Sequence, residues 1–156
     1  MNFEHLVEIN DEGIDGLAPL SRGQLWRGLV LRAEQPGLSV LALDDCRILQ
    51  RGADYLDREL RFGELRIRDR VRFVPMESVV YETEATATLP AGRLTMAIEE
   101  PLPGRLFVRF TYSYVMERGE AALDRFYARY LRQAYIEADS DTIATIRRLA
   151  REGALQ

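Results

Sequence analysis

Residues 2 to 9 alternate, with Phe3, His5, Val7 and Ile9 on one side and Glu4 and Glu8 on the other, and only Leu6 out of step. Period two predicts a half-buried strand. A turn-rich stretch holding Asp11, Glu12, Gly13 and Gly16 follows. Ser21 then stands three residues ahead of Gln24, with Leu20 before the cap and Leu25 at the fourth helical position. Those four residues spell a capping box and a hydrophobic staple, so a helix is expected to start at Ser21. Leu25, Trp26, Leu29, Val30 and Ala33 supply its apolar face, and Pro36-Gly37 ends it. A second short helical turn is expected over about Leu38 to Leu43.

From about Asp44 to Tyr114 the period becomes two again, in runs broken by Arg51-Gly52-Ala53, Gly63-Glu64, Pro75-Met76-Glu77, Pro90-Ala91-Gly92 and Pro101-Leu102-Pro103-Gly104. Each break is hairpin chemistry, which predicts six consecutive strands and, with the first, seven antiparallel ones. In the last forty or so residues Leu123, Phe126, Tyr127, Tyr130, Leu131, Ala134, Ala138, Thr142, Thr145 and Leu149 recur at spacings of three and four. That spacing predicts a long amphipathic helix, with Asp139-Ser140-Asp141 as the place where it could bend. The pattern as a whole is α+β, and no repeat, linker or low-complexity tract divides residues 1–156 into more than one domain.

A two-residue turn at Gly63-Glu64 fixes the register of its hairpin. Phe62 falls opposite Leu65, Leu60 opposite Ile67 and Leu56 opposite Val71, all on one face. The other face sets Glu59 against Arg68 and Asp57 against Arg70, and the next hairpin brings Glu84 and Glu82 to the far sides of the same arginines. Arg66, Arg68, Arg70 and Arg72 would otherwise resemble a nucleic-acid stripe, but acids flank them and the chain carries a formal net charge of -4. That field has the wrong sign for phosphate, and no nucleic-acid partner is expected.

On the apolar face the same register places Arg58 opposite Asp69, with Thr83 on the strand beyond. Removing one partner of a buried ion pair costs about 3 to 5 kcal/mol, whereas replacing both by apolar groups is often neutral. Two readings of the pair therefore stand: a device that fixes strand register, or the polar anchor of a cavity over this face. Tyr81, Thr83, Ala85 and Ala87 are expected to share the inner face with Leu94, Met96, Ile98, Val108, Phe110, Tyr112 and Tyr114. Several of these are small, which points to space over the sheet, while Phe126, Tyr127 and Tyr130 of the last helix are bulky enough to fill it.

Composition removes much chemistry. All 21 basic residues are arginine, and there is one histidine, His5, and one cysteine, Cys46. Schiff-base catalysis, a phosphate-loop lysine, Cys/His zinc sites and paired-cysteine redox lack their residues, and no cofactor is expected. His5 points inward on its strand and is the one imidazole available for proton transfer near neutral pH; a satisfied core or edge histidine is the competing account. No Gly-x-Ser-x-Gly elbow is present, and the adjacent acid pairs Asp44-Asp45 and Glu99-Glu100 face opposite sides of their strands. At 47% hydrophobic and 29% charged, without an apolar run long enough for a bilayer or a basic-then-apolar start, the chain reads as a globular, cytoplasmic protein. Nothing in the residues decides its oligomeric state.

The order strand, two short helices, six antiparallel strands and long C-terminal helix is the helix-grip arrangement, and it resembles the START and birch-pollen-allergen superfamily, also called SRPBCC. The segments Phe3-Glu4-His5-Leu6-Val7-Glu8-Ile9-Asn10, Gln24-Leu25-Trp26-Arg27-Gly28-Leu29, Arg58-Glu59-Leu60-Arg61-Phe62-Gly63, Thr83-Glu84-Ala85-Thr86 and Leu94-Thr95-Met96 are similar to the AtaL-like family within it. The resemblance implies a seven-stranded curved antiparallel sheet wrapped around the C-terminal helix, enclosing a hydrophobic cavity. It also implies a hydrophobic small molecule as partner, since relatives in the superfamily bind lipids, sterols or plant phenolics, or act as polyketide cyclases and aromatases. No catalytic residue is carried over from them. The residues expected to line such a cavity are His5, Arg58, Leu60, Asp69, Tyr81, Thr83, Ala85, Met96, Phe110, Tyr112, Phe126 and Tyr130. Two functions follow: a binding module in which Arg58 and Asp69 orient a polar group, or a cyclase-like enzyme in which His5, Asp69 or Tyr112 moves protons.

Overall fold

The computed structural model describes residues 2–11, 18–87, 89–114 and 121–155, with the side chains of 121–128 outside the described set. Strand β1 (Asn2–Glu8) leads to helix α1 (Arg22–Glu34) and a single 3-10 turn (Pro36–Leu38). Strands β2 (Asp45–Arg51), β3 (Tyr55–Phe62), β4 (Leu65–Val74), β5 (Ser78–Thr83), β6 (Gly92–Leu102) and β7 (Arg105–Tyr114) follow, then helix α2 (Ala121–Arg151). All seven strands form one open, curved antiparallel sheet in the order β1-β7-β6-β5-β4-β3-β2.

Local chemistry sets the element ends. The Ser21 hydroxyl accepts from the Gln24 amide while the Gln24 side chain accepts from the Ser21 amide, so two orphan donors of α1 are satisfied reciprocally. The second helical turn lies earlier than Leu38 to Leu43: it is the 3-10 turn at Pro36–Leu38, because the proline ring presets the first helical φ. Beyond it Ala42 takes a φ of 66°, which no helix continues. Gly63 has a φ of 61°, as the tight β3–β4 turn requires. Helix α2 runs through Asp139-Ser140-Asp141 as one element, and the Asp139 side chain is engaged with the sheet instead of with its own backbone.

The register is the one the alternation implies: Leu60 pairs with Ile67, Arg58 with Asp69, and Asp69 in turn with Thr83. The inward side chains therefore line up in rows across the strands. One row is Phe73, Val79, Met96, Phe110 and His5; its neighbour is Leu56, Val71, Tyr81, Leu94, Tyr112 and Phe3; the next is Arg58, Asp69, Thr83, Gly92 and Tyr114. Over the first row and beyond it, Leu25, Leu29 and Ala33 of α1 and Ile143, Ile146 and Leu149 of α2 close a dry core. At the α1–α2 crossing a Cβ on Gly28 would stand 2.6 Å from Ile146 Cγ2, so only glycine allows the approach. On the outward face Glu59 is buried beneath Arg66 and Arg68, which bond to it at 3.0 and 3.1 Å.

Two sequence expectations about the inner face do not hold. Strand β5 ends at Thr83 and β6 begins at Gly92, with Thr86 and Leu89 hydrogen-bonded to each other between them, so Ala85 and Ala87 are exposed instead of facing the helix. Alanine carries little strand preference, and no partner strand reaches it there. Tyr130 is 68% exposed, because the stripe of α2 that faces the sheet runs through Leu131, Tyr135, Asp139, Thr142 and Ile146, about 100° around the helix from it.

Candidate functional site

Where the dry core stops, a cavity of about 470 Å³ begins, bounded by the sheet, the end of α1 and the first half of α2. Leu60, Phe62, Ile67, Leu94, Leu131 and Ala138 give it an apolar wall. Its polar groups stand at the border with the core. Arg58 donates to Asp69 through Nε at 2.9 Å and Nη2 at 2.6 Å, and through Nη1 to the Ala33 carbonyl at 2.8 Å. That carbonyl is one of the unpaired acceptors in the last turn of α1, where a cation also meets the negative end of the helix dipole. Burial alone pushes the Arg58 guanidinium down, but the bonds to Asp69 outweigh it and hold its pKa above the ordinary value. A fork this well satisfied is the geometry in which an ion pair persists out of water.

Tyr81 stands on the next row inward. The guanidinium carbons of Arg32 and Arg58 each lie 5.2 Å from the centroid of its ring. Its hydroxyl is buried and has no hydrogen-bond partner among the described residues. Arg32 reaches this wall from α1, its Nε donating to Thr142 Oγ1 at 3.0 Å and so tying α1 to α2.

Tyr112 forms the opposite border. Its ring stacks on Tyr135 of α2 with centroids 3.8 Å apart and planes 10° from parallel. Its hydroxyl donates to Asp139 Oδ1, and Asp139 Oδ2 lies 3.1 Å from His5 Nδ1. Burial pushes the Tyr112 phenol far up and the neighbouring Asp139 carboxylate adds to it. Burial likewise raises Asp139, against the lowering pull of Tyr112, His5 and Arg32. The arrangement is a hydrogen-bonded line from the cavity wall to the sheet edge, able to hold or pass one proton.

Of the residues singled out from sequence, Arg58, Leu60, Asp69, Tyr81, Thr83 and Tyr112 border the cavity. Met96 and Phe110 do not: both have no exposure and sit within the dry core, one row away. His5 reaches the site only through Asp139. Ala85 and Tyr130 face away from it, and the Phe126 side chain lies outside the described residues. Sequence reasoning missed Arg32, Tyr135 and the inward role of Asp139. Each falls on a legible stripe: Arg32 stands three and seven residues after Leu29 and Leu25, and Asp139 lies between Tyr135 and Thr142 at helical spacing. A polar residue on an apolar stripe was the available signal.

A second concavity, of about 570 Å³, touches Arg58, Asp69 and Thr83 from the β2 side and is otherwise walled mostly by Asp57, Arg68, Arg70, Glu82 and Glu84. Its arginines are occupied with acids, as in the Arg70–Asp57 fork at 2.7 and 2.8 Å, so it lacks the apolar wall of a ligand site. Cys46, across from Leu60, is half-buried, and burial raises its thiol pKa, the reverse of an activated nucleophile. Among the described residues no group of three or more His, Cys, Asp or Glu side chains could hold a metal ion.

A curved seven-stranded sheet closing on a long C-terminal helix, with a cavity between them, defines a helix-grip, SRPBCC-like fold. The chain belongs to the AtaL family, described as acetylaranotin biosynthesis cluster protein L, whose model matches residues 5–153. Solved structures share its fold at low identity. The di-domain ARO/CYC StfQ from the steffimycin biosynthetic pathway is 12% identical with a TM-score of 0.69, covering 98% of this chain. Only 51% of that protein is covered, so the chain spans about half its length. The Zhui aromatase/cyclase from Streptomyces sp. R1128 is 16% identical with a TM-score of 0.68, over 96% of this chain and 95% of that one. Ara h 8.0201 is 10% identical with a TM-score of 0.64, over 94% and 97%. Comparison with curated proteins found no match. Among the described residues no helix is long and apolar enough to cross a membrane.

Proposed function

We propose that the protein binds an apolar or amphipathic small molecule, of lipid, sterol-like, aromatic or polyketide-like shape, in the cavity between the sheet and α2. The supporting observation is the cavity itself: about 470 Å³, within the usual range for ligand sites, with apolar walls and a few polar groups along one border. Arg58, held by Asp69 and Ala33, orients a polar group of the ligand with the donors those bonds leave over. Affinity comes mainly from desolvating the ligand's apolar surface, at about 25 cal/mol per Å² before the costs of association. Native mass spectrometry of the purified chain, followed by titration with a neutral fluorescent probe such as N-phenyl-1-naphthylamine, tests this. Retained or added apolar compounds that Leu60→Trp displaces support the reading. A chain that takes up neither co-purified compounds nor the probe overturns it.

One observation favours a second reading, a cyclase- or aromatase-like enzyme that works mainly by positioning. Tyr112 borders the cavity and its hydroxyl is backed by Asp139 and, through it, His5, which is the layout of a proton-handling group. Incubation with a synthetic poly-β-ketone separates the two: a Tyr112→Phe protein that still takes up the probe but loses cyclised product supports catalysis, and equal product from both proteins and from buffer removes it.

A further inference from the structure

The arginines that border the cavity are not equally partnered. Arg58 is neutralised by Asp69 in a closed fork. Arg93 reaches Glu82 at 3.8 Å. Asp139 has both oxygens committed, one to Tyr112 and one to His5. Arg32 remains: it lines the cavity, it is half-buried, and among the described residues no carboxylate stands within ion-pair distance. Its one hydrogen bond to a described residue goes to the neutral Thr142 hydroxyl and uses Nε alone, so the Nη donors of the guanidinium are left over. A guanidinium drawn part-way out of water with a hydroxyl for its partner is costly unless an anion completes it.

The second observation is independent of charge. Tyr81 is 4% exposed, lies on the cavity wall, and its hydroxyl is one of the few buried side-chain polar atoms without a partner among the described residues. Buried hydroxyls are nearly always paired, and one that is not marks a missing acceptor. Arg32 packs over the ring of this same tyrosine, with its guanidinium carbon 5.2 Å from the ring centroid, which puts both side chains on one patch of wall.

We infer that Arg32 and Tyr81 form an anion subsite, so that the ligand is an amphipathic monoanion, an apolar body ending in a carboxylate or comparably acidic oxygen. The inference rests on the binding function proposed above and names the ligand class for that cavity. Arg32 supplies the charge, the Tyr81 hydroxyl donates a hydrogen bond to the same group, and the apolar body runs along Leu60, Ile67, Leu94 and Leu131. Because Arg32 also holds Thr142, binding there couples the ligand to the seam between α1 and α2.

The test uses the full chain and three probes of one length, dodecanoate, dodecan-1-ol and dodecylammonium, each displacing N-phenyl-1-naphthylamine at neutral pH. Charge-assisted hydrogen bonds are about twice as strong as neutral ones, so dodecanoate is expected to bind about tenfold or more tightly than the alcohol, and dodecylammonium weakest. In Arg32→Gln the advantage of the carboxylate over the alcohol falls to within about threefold; Arg32→Lys keeps a part of the advantage, and Tyr81→Phe removes a few-fold. Equal binding of alcohol and carboxylate to the unaltered chain overturns the inference without help from any variant. A preference that survives intact in a folded Arg32→Gln protein overturns it as well. Failure of all three probes and of the naphthylamine is a different result: it removes the cavity as a ligand site, and this inference with it.

Discussion

The inner face of the sheet is one surface with two fates. Along β6, Met96 has no exposure and packs against Val79 and Phe110, while Leu94, two residues earlier on the same face, borders a cavity. The same helix covers both, so covering is not what separates them. What differs is what α1 adds: its buried stripe of Leu25, Gly28, Leu29 and Ala33 fills the space over the packed rows, and it ends at Glu34, level with Arg58. Past that end the sheet carries arginine, aspartate, threonine and glycine in one row. The comparison teaches that the cavity is placed by where a helix stops, and that the polar row is satisfied at the helix's terminal carbonyl.

The largest test of the difference is the ion pair at the boundary. Asp69→Ala leaves a buried guanidinium unpaired and is expected to cost about 3 to 5 kcal/mol in urea unfolding, while the double change Arg58→Met with Asp69→Leu costs nothing or stabilises. A double variant as unstable as the single one would show that the pair holds the boundary by more than mutual neutralisation.

Next in size is the contrast within β6. Met96→Ala opens a void in a closed core and is expected to cost about 2 to 5 kcal/mol. Leu94→Ala enlarges space that already exists, so its loss is expected to be about half as great, with a clear change in probe uptake that Met96→Ala does not produce. Equal costs at the two positions would erase the division between the regions.

Two glycines sharpen it further. At Gly28 an added methyl meets Ile146 at 2.6 Å, and Gly28→Ala is expected to cost about 1 to 3 kcal/mol through overpacking. At Gly92, on the polar row and in the cavity wall, the nearest atoms to an added Cβ are at 3.5 Å, an ordinary contact. Gly92→Val is therefore expected to leave the thermal midpoint within a few degrees while it lowers uptake of the naphthylamine probe. A folded Gly92→Val protein with full uptake would place the ligand elsewhere.

The packed region was far more legible in the sequence than the open one. Alternation and turn chemistry define strand parity, parity defines the inward rows, the pairing of Arg58 with Asp69 follows from the Gly63-Glu64 turn, and that of Asp69 with Thr83 from the hairpin at Pro75-Met76-Glu77. Which inward residues meet a helix and which meet a void does not follow, because it depends on how far α1 extends over the sheet. Met96 and Phe110 were expected at the cavity for that reason, and so was Ala85, whose strand stops two residues before it. Arg32 and Asp139 were hidden by a different physics. Long or charged residues on a helix are ordinarily solvated, and only the packing of α1 and α2 against one sheet turns these two inward.

The smallest effect, and the one that separates inside from outside by sign, is the dependence of stability on pH. Asp57, Glu59 and Glu99 on the outward face are hydrogen-bonded to arginines that lower their pKa values. Such groups contribute stability above their unfolded values, near 4, and lose it as pH falls through the folded ones. Asp139 is shifted the other way: burial raises its pKa, so its contribution is fullest below the unfolded value and is lost as pH rises through the folded one. The groups facing it are Tyr112 and His5, which bond to it, and Arg32, whose charge it feels. Asp139→Asn keeps an acceptor for Tyr112 and removes the ionisation. Relative to the unaltered protein, its urea midpoint is expected to be closest at about pH 3 and to gain steadily toward about pH 7, whereas Asp57→Asn is expected to lose ground over the same range. Measuring both in a His5→Gln background keeps the titration of the imidazole out of the comparison. Parallel trends for the two variants would mean that Asp139, despite being 1% exposed, is held as an ordinary carboxylate.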